Sequence, residues 1–133
     1  MKCYVLIVIA LLAMLPGKML LAHDNATLDA MKAPNGGMLR MAGAYHVELV
    51  LQTNQASVYV SDHADKALAV KGSSAELTLL GPARQQVRLQ PAGANLLRGN
   101  IPSLPPGTYQ AVLRLRMAGQ QEQLARFSGV RLK

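Results

Sequence analysis

The sequence predicts an all-β protein: an antiparallel, immunoglobulin-like β-sandwich of about seven or eight short strands after an N-terminal signal peptide. Apolar residues alternate with polar ones along several segments, and Gly- or Pro-containing turn signals separate these segments at roughly regular intervals. Outside the signal, no segment has a convincing helical period. The same spacing of strands and turns is also typical of a small closed barrel, which is the alternative architecture.

The clearest strand is the segment 45–52, whose odd-numbered residues are all large and apolar. Side chains alternate between the two faces of a strand, so these residues would face the core, while His46 and Glu48 would share the opposite face. The alternation resumes at residues 58–60 after the polar pair Thr53-Asn54. This short polar gap predicts a β-hairpin at the centre of the fold.

Other segments of the same kind complete the predicted domain. The turn at residues 34–37 precedes the hairpin, and the Pro-rich stretch 101–107 predicts a loop or an edge crossing. The remaining strands are predicted at residues 68–70, 75–80, 84–90, 95–97, 108–117 and 120–127.

The N-terminus has the pattern of a secretory signal peptide. Lys2 precedes an apolar run at residues 4–15, which is shorter than the ~20 residues that span a bilayer. Cleavage after Ala22 would leave a flexible N-terminal arm at residues 23–33 and the β-sandwich domain at residues 34–133. An uncleaved anchor is the alternative. Signal cleavage predicts a periplasmic protein with no membrane attachment.

Cleavage at residue 22 would leave 133 − 22 = 111 residues, enough for one domain with a core. The chain's single cysteine, Cys3, would leave with the signal, so the domain would be stabilised by packing without disulfides. The formal net charge of +7 would fall to +5 with the loss of Lys2 and Lys18. With no Trp and one Phe, the domain lacks stacking platforms for nucleic acid, so we expect no nucleic-acid partner.

Signals of catalysis are poor. The chain has no Gly-x-Ser-x-Gly elbow and no phosphate-binding loop. Ser61, Asp62 and His63 contain the residue types of a catalytic triad, but adjacent residues point in different directions. We therefore expect a protein that is not an enzyme.

Metal binding is the more promising chemistry. Met38 and Met41 lie just ahead of the strand that carries His46 and Glu48, and His63 follows in the next polar loop. Thioether sulfur with imidazole suits a soft ion such as Cu(I), and imidazole also binds Cu(II). The alternatives are that the methionines fill gaps in the core, that His46 is an outward strand residue paired with Glu48, and that His63 is a plain loop residue.

His23 offers a different metal site. After cleavage at Ala22, its free amine and its ring nitrogen could chelate one Cu(II) ion, with a second histidine completing the site.

Several of these motifs resemble small exported β-sandwich proteins that accompany bacterial heavy-metal and copper efflux systems and their periplasmic adaptors. The chain has Gly36-Gly37, the strand Tyr-His-Val-Glu-Leu at residues 45–49 and the loop Ser-Asp-His at residues 61–63. It departs from the group at Asn35, where a histidine is typical, and at residues 66–68, where a proline is missing.

The resemblance covers about residues 33–128 and implies that His46, Glu48 and His63 are the positions to test as ligands. It implies a non-enzymatic periplasmic protein of heavy-metal tolerance that binds a soft metal ion or assists an efflux adaptor. The alternative function is a metal-independent interaction module, whose basic outward faces at residues 84–90 and 110–116 would meet an acidic partner.

Overall fold

The computed structural model describes residues 25–133. One short helix, α1 (Asn25–Ala30), precedes eight strands in this part of the chain. The strands are β1 (Met38–Ala42), β2 (Tyr45–Gln52), β3 (Gln55–Ser61), β4 (Ser74–Leu80), β5 (Gln85–Pro91), β6 (Leu96–Asn100), β7 (Thr108–Arg116) and β8 (Gln123–Arg131).

All the strand pairs are antiparallel and belong to one sheet with the order β1-β2-β3-β6-β5-β4-β7-β8. The prediction of an all-β, antiparallel fold is therefore confirmed. The two-sheet, immunoglobulin-like sandwich is not confirmed. The strands instead form one nearly closed, barrel-like sheet: β5 pairs with both β4 and β6, and the first and last strands of the sheet, β1 and β8, lie beside each other.

The first and last strands close this sheet without a regular ladder. Strand β1 lies beside β8, with Gly43 against the Gln123 side chain and Gly36 against the amine of Lys133. The amide of Lys133 donates a 3.0 Å hydrogen bond to the carbonyl of Leu51, so the end of the chain pairs with β2 beyond the start of β1.

A bulge in β8 helps to bring the end of the chain to β2. The β7–β8 register shifts by one residue between Tyr109 and Ala111, and Gly129 adopts a left-handed backbone at φ 71° opposite this shift. A bulge bends its strand and increases its twist. The bend lets β8 curl around the core.

Alternation of apolar residues places the core inside the curved sheet, as the sequence predicts. Tyr109 is the largest fully buried side chain, and its hydroxyl donates a 2.7 Å hydrogen bond to the carbonyl of Pro105. The other large side chains with almost no exposure on the core face include Leu49, Leu51, Leu77, Leu79, Leu89, Leu97, Leu113, Leu115 and Phe127.

The hairpin of β2 and β3 has the predicted turn, with Gln52 opposite Gln55. Three local features differ from the prediction. Strand β1 forms where only a turn and two methionines were recognised, residues 68–70 form no strand, and β8 begins and ends later than residues 120–127. Helix α1 lies within the predicted arm at residues 23–33.

The predicted signal peptide at residues 1–22 lies outside the described residues. Within the described range, no helix is both long enough and apolar enough to cross a membrane.

Candidate metal site

The sheet places three polar or sulfur-bearing residues side by side on its outer face. His46 on β2 is the register partner of Met41 on β1 and of Ser61 on β3. Residues directly opposite each other in an antiparallel pair project from the same face. Met41, His46 and Ser61 therefore form a row across three strands, on the face opposite the core.

The loop after β3 folds over this row. The carboxylate of Asp62 accepts hydrogen bonds from the amides of Ala64 and Lys66, both 2.9 Å long. The amide of Asp62 also donates to the carbonyl of Lys66, and the amide of Asp65 donates to the carbonyl of Asp62. These bonds close a tight turn from residue 62 to residue 66.

This turn aims two side chains at His46. Nδ1 of His46 lies 3.2 Å from Oδ1 of Asp65, and Nε2 of His46 lies 3.1 Å from Nδ1 of His63. The two rings meet edge to face, with their centroids 4.8 Å apart and an angle of 89° between their planes. His46 is fully buried, whereas His63 and Asp65 are exposed. Each ring nitrogen of His46 thus has a defined neighbour in the loop.

The Asp65 backbone is unusual, because it is the one described residue other than glycine with a positive φ, at 60°. Aspartate tolerates the left-handed region better than most residues, but the conformation still costs about 1 kcal/mol. In this backbone conformation, the Asp65 carboxylate points back towards the sheet and His46.

The hydrogen bonds assign a tautomer to the neutral histidine pair. An ionised carboxylate only accepts hydrogen bonds, so the His46 proton lies on Nδ1 and is donated to Asp65. Nε2 of His46 then carries a lone pair, which faces Nδ1 of His63. A carboxylate that holds one ring nitrogen while the other meets a further donor atom is also the usual environment of a metal-binding histidine.

Glu48 lies on the same strand face as His46 but has a different role. Its buried carboxylate accepts hydrogen bonds from the Asn35 amide at 2.9 and 3.1 Å, from the Asn35 side chain at 3.0 Å and from the Gly37 amide at 2.8 Å. These donors use both carboxylate oxygens. Glu48 therefore fastens the turn before β1 to the sheet, and its partners are these donors rather than His46.

The structure separates the two methionines. Met38 is the register partner of Leu49 and packs against the hydrophobic core, whereas Met41 is half-buried and shares the face of His46. Of the residues predicted as ligands, the fold thus brings together Met41, His46 and His63. His23, the remaining one, lies outside the described residues.

Asp65 is the member of this cluster that was not predicted as a site residue. Its proximity to His46 depends on the loop geometry and on the pairing of β2 with β3, which sequence spacing does not reveal. The one available signal was its position two residues after His63 in a polar loop.

A cleft of ≈ 310 Å³ adjoins the cluster. The segment after α1, including Met31 and Asn35, forms one wall, Tyr59 and Ser61 of β3 form the floor, and Asp65 lies at the opposite side. The carboxylate of Asp65 therefore borders an open space as well as contacting His46.

The donor atoms fit a small metal ion bound by two histidines. Two nitrogens at ~2.0–2.1 Å from a tetrahedral metal lie about 3.3 Å apart, close to the 3.1 Å between His46 and His63. No group of three or more His, Cys, Asp or Glu side chains in residues 25–133 has the geometry to hold a metal ion.

Ser61, Asp62 and His63, which have the residue types of a catalytic triad, are not arranged as one. The Asp62 carboxylate is bonded to the amides of its own loop, and Nδ1 of His63 faces His46. The carboxylate in contact with a histidine ring is that of Asp65.

No protein-family model, curated protein sequence or solved structure matches the chain.

Proposed function

We propose that this is a non-enzymatic, exported protein of heavy-metal tolerance that binds one soft metal ion, Cu(I) or Cu(II), between His46 and His63. The observation that carries the proposal is the 3.1 Å approach of His46 Nε2 to His63 Nδ1. Two imidazole nitrogens at this separation share either one proton or one metal ion.

Met41 is the third ligand in this proposal. It is the cross-strand neighbour of His46 and carries a thioether, which prefers Cu(I) to harder ions. Its position opposite His46 would give a mixed sulfur–nitrogen donor set in a domain whose described residues contain no thiol.

The exposed position of His63 suits capture and release of a metal cargo. His46 is rigidly held by β2 and by the Asp65 carboxylate, whereas His63 lies in an exposed loop that closes over it. Movement of this loop would uncover one ligand without unfolding the sheet. The periplasm and the periplasmic adaptor of a metal efflux system are the proposed location and partner, supported by the sequence resemblance.

The test is a competition titration of the purified protein with Cu(I) under anaerobic conditions and with Cu(II) in air. We expect one bound ion in the wild-type protein. His63→Asn removes one ligand from an exposed loop, so the variant should fold normally and lose at least about tenfold in affinity.

The two methionines provide a matched pair of variants. Met41→Leu should lower the Cu(I) affinity, whereas Met38→Leu makes the same chemical change on the core face and should leave it unchanged. Equal effects of the two variants, or no metal binding by the wild-type protein, would contradict the proposed site.

A further inference from the structure

The charges of this protein are divided unequally between the two parts of its sheet. Residues 67–133 carry nine basic and two acidic side chains, a formal net charge of +7. Residues 25–66 carry three basic and four acidic side chains, a net charge of −1. The proposed metal site lies within residues 25–66, so the excess positive charge lies on other strands of the sheet.

The strand register concentrates part of this charge on one outer face. Glu76 of β4 is opposite Arg88 of β5 on one side and opposite Arg114 of β7 on the other. Arg116 follows on β7, opposite Ser74. The four charged side chains alternate with buried apolar residues, so all of them point away from the core.

The same side chains line a surface cleft of ≈ 400 Å³, which we call the arginine cleft. Its charged lining consists of Glu76, Arg88, Arg114, Arg116 and Glu122, and Ser74 and Gln90 add hydrogen-bonding groups.

The two glutamates hold the centre of the cleft in place. Nε of Arg114 donates a 3.0 Å hydrogen bond to Glu122, and Glu76 lies 3.9 Å from the same guanidinium. The Glu122 hydrogen bond, together with the charge of Glu122, raises the pKa of Arg114. Arg114 is thus fixed as a positively charged centre.

The flanking arginines are less compensated. Arg116 is 67% exposed and approaches Glu122 only at 3.9 Å, and among the described residues no carboxylate lies within ion-pair distance of Arg88. Guanidinium groups bind carboxylates through a planar fork of donors. Arg88, across β4 from Arg114, and Arg116, two residues along β7 from Arg114, therefore offer two separate carboxylate positions.

We propose that the arginine cleft is a docking site for an acidic segment of a partner protein, whose carboxylates bind Arg88 and Arg116. Glu76 and Glu122 lie among the arginines, and they would repel the uniform negative charge of a lipid surface or a nucleic-acid backbone. A peptide can instead space its carboxylates to meet the arginines and place backbone N–H donors near the glutamates.

The test measures the fluorescence anisotropy of a labelled peptide of alternating Glu and Ser at low salt, with a Gln–Ser peptide as the uncharged control. The double variant Arg88→Gln/Arg116→Gln should bind the acidic peptide about tenfold more weakly. The control variant Lys71→Gln/Arg131→Gln removes the same charge from exposed positions outside the cleft and should bind within about twofold of wild type.

The outcomes separate a defined site from general attraction. Equal weakening of peptide binding by the two double variants would overturn the proposal and indicate diffuse electrostatic attraction. A lack of binding to the acidic peptide would also overturn the proposal. A further arm uses vesicles that contain phosphatidylglycerol. Binding to vesicles that depends on Arg88 and Arg116, without peptide binding, would assign the cleft to a membrane surface instead. The readouts contain no metal ion, so they do not depend on the proposed copper site.

Discussion

The hydrogen bonds of Glu48 make a strong prediction about stability. Glu48→Gln keeps the size of the side chain but replaces one carboxylate oxygen with an amide NH₂. In the native structure one oxygen faces the Asn35 side chain, and the other faces the Gly37 amide. The Gln NH₂ group must therefore oppose a donor in either orientation of its amide.

The stability lost in Glu48→Gln follows from the number and type of hydrogen bonds that the carboxylate accepts. Three donor groups reach a buried carboxylate, and hydrogen bonds to charged groups contribute about 1.5–3 kcal/mol each. Glu48→Gln weakens the bonds that survive and leaves one donor unsatisfied. We expect the free energy of unfolding to fall by about 2–4 kcal/mol. In a domain of this size, the midpoint of thermal unfolding should fall by about 10–20 °C.

The assay is urea unfolding followed by circular dichroism, with Glu76→Gln as the matched control. Glu76 is a half-exposed strand residue that accepts a 3.3 Å hydrogen bond from Gln86, so its loss should cost less than about 1 kcal/mol. If the two variants were equally stable, Glu48 would not fasten the turn before β1. Under conditions where Glu48→Gln is folded, copper affinity should equal that of wild type, and a selective loss of copper binding would make Glu48 a ligand after all.

Three further substitutions test local contacts of the sheet. Tyr109→Phe removes the 2.7 Å bond to the Pro105 carbonyl while the ring stays buried, so the free energy of unfolding measured in urea should fall by about 1 kcal/mol, and an unchanged value would show that this bond contributes nothing net. Gly37→Ala would place a methyl group directly against the Leu49 carbonyl, whereas Gly129→Ala meets nothing within 4 Å and strains only the backbone at φ 71°. Gly37→Ala should therefore lower the free energy of unfolding by more than the roughly 1 kcal/mol expected for Gly129→Ala, and thermal unfolding of the two variants measures the difference. The reverse order would contradict the close approach of Gly37 to β2.

Much of the fold could be predicted because its strands have one buried face. The alternation in residues 45–52 and 108–117 marks β2 and β7 directly, and the polar pair at residues 53–54 marks the hairpin turn between β2 and β3. Strand β1 was missed because its burial does not alternate. Arg40 is buried through a salt bridge to Asp29, and Leu39 is buried beside it on the opposite face.

The choice between sandwich and barrel could not be made from alternation alone. Both architectures bury every second residue of antiparallel strands. What distinguishes them here is the way in which the two halves of the sheet are joined, through the pairing of β3 with β6 and the approach of β8 to β1, and both contacts join segments far apart in sequence.

The position of His46 could be predicted only in part, for a similar reason. Strand alternation correctly places His46 opposite the core face, but it indicates an outward and exposed side chain, whereas His46 is fully buried beneath the loop. The loop residues that cover it are His63 and Asp65, and their approach depends on the Asp62 turn and on the left-handed backbone of Asp65. Sequence spacing carries no measure of such a fold-back.

The contact between the two ends of the sheet sets the order in which the protein can fold. Strands β1 and β8 meet only after every intervening strand has been made, and the bond from Lys133 to Leu51 spans most of the domain. Contacts of such long sequence separation slow folding, because the cost of ordering the chain comes before they form. A nascent chain without β8 would expose the edges of both β1 and β7, which are templates for pairing between chains.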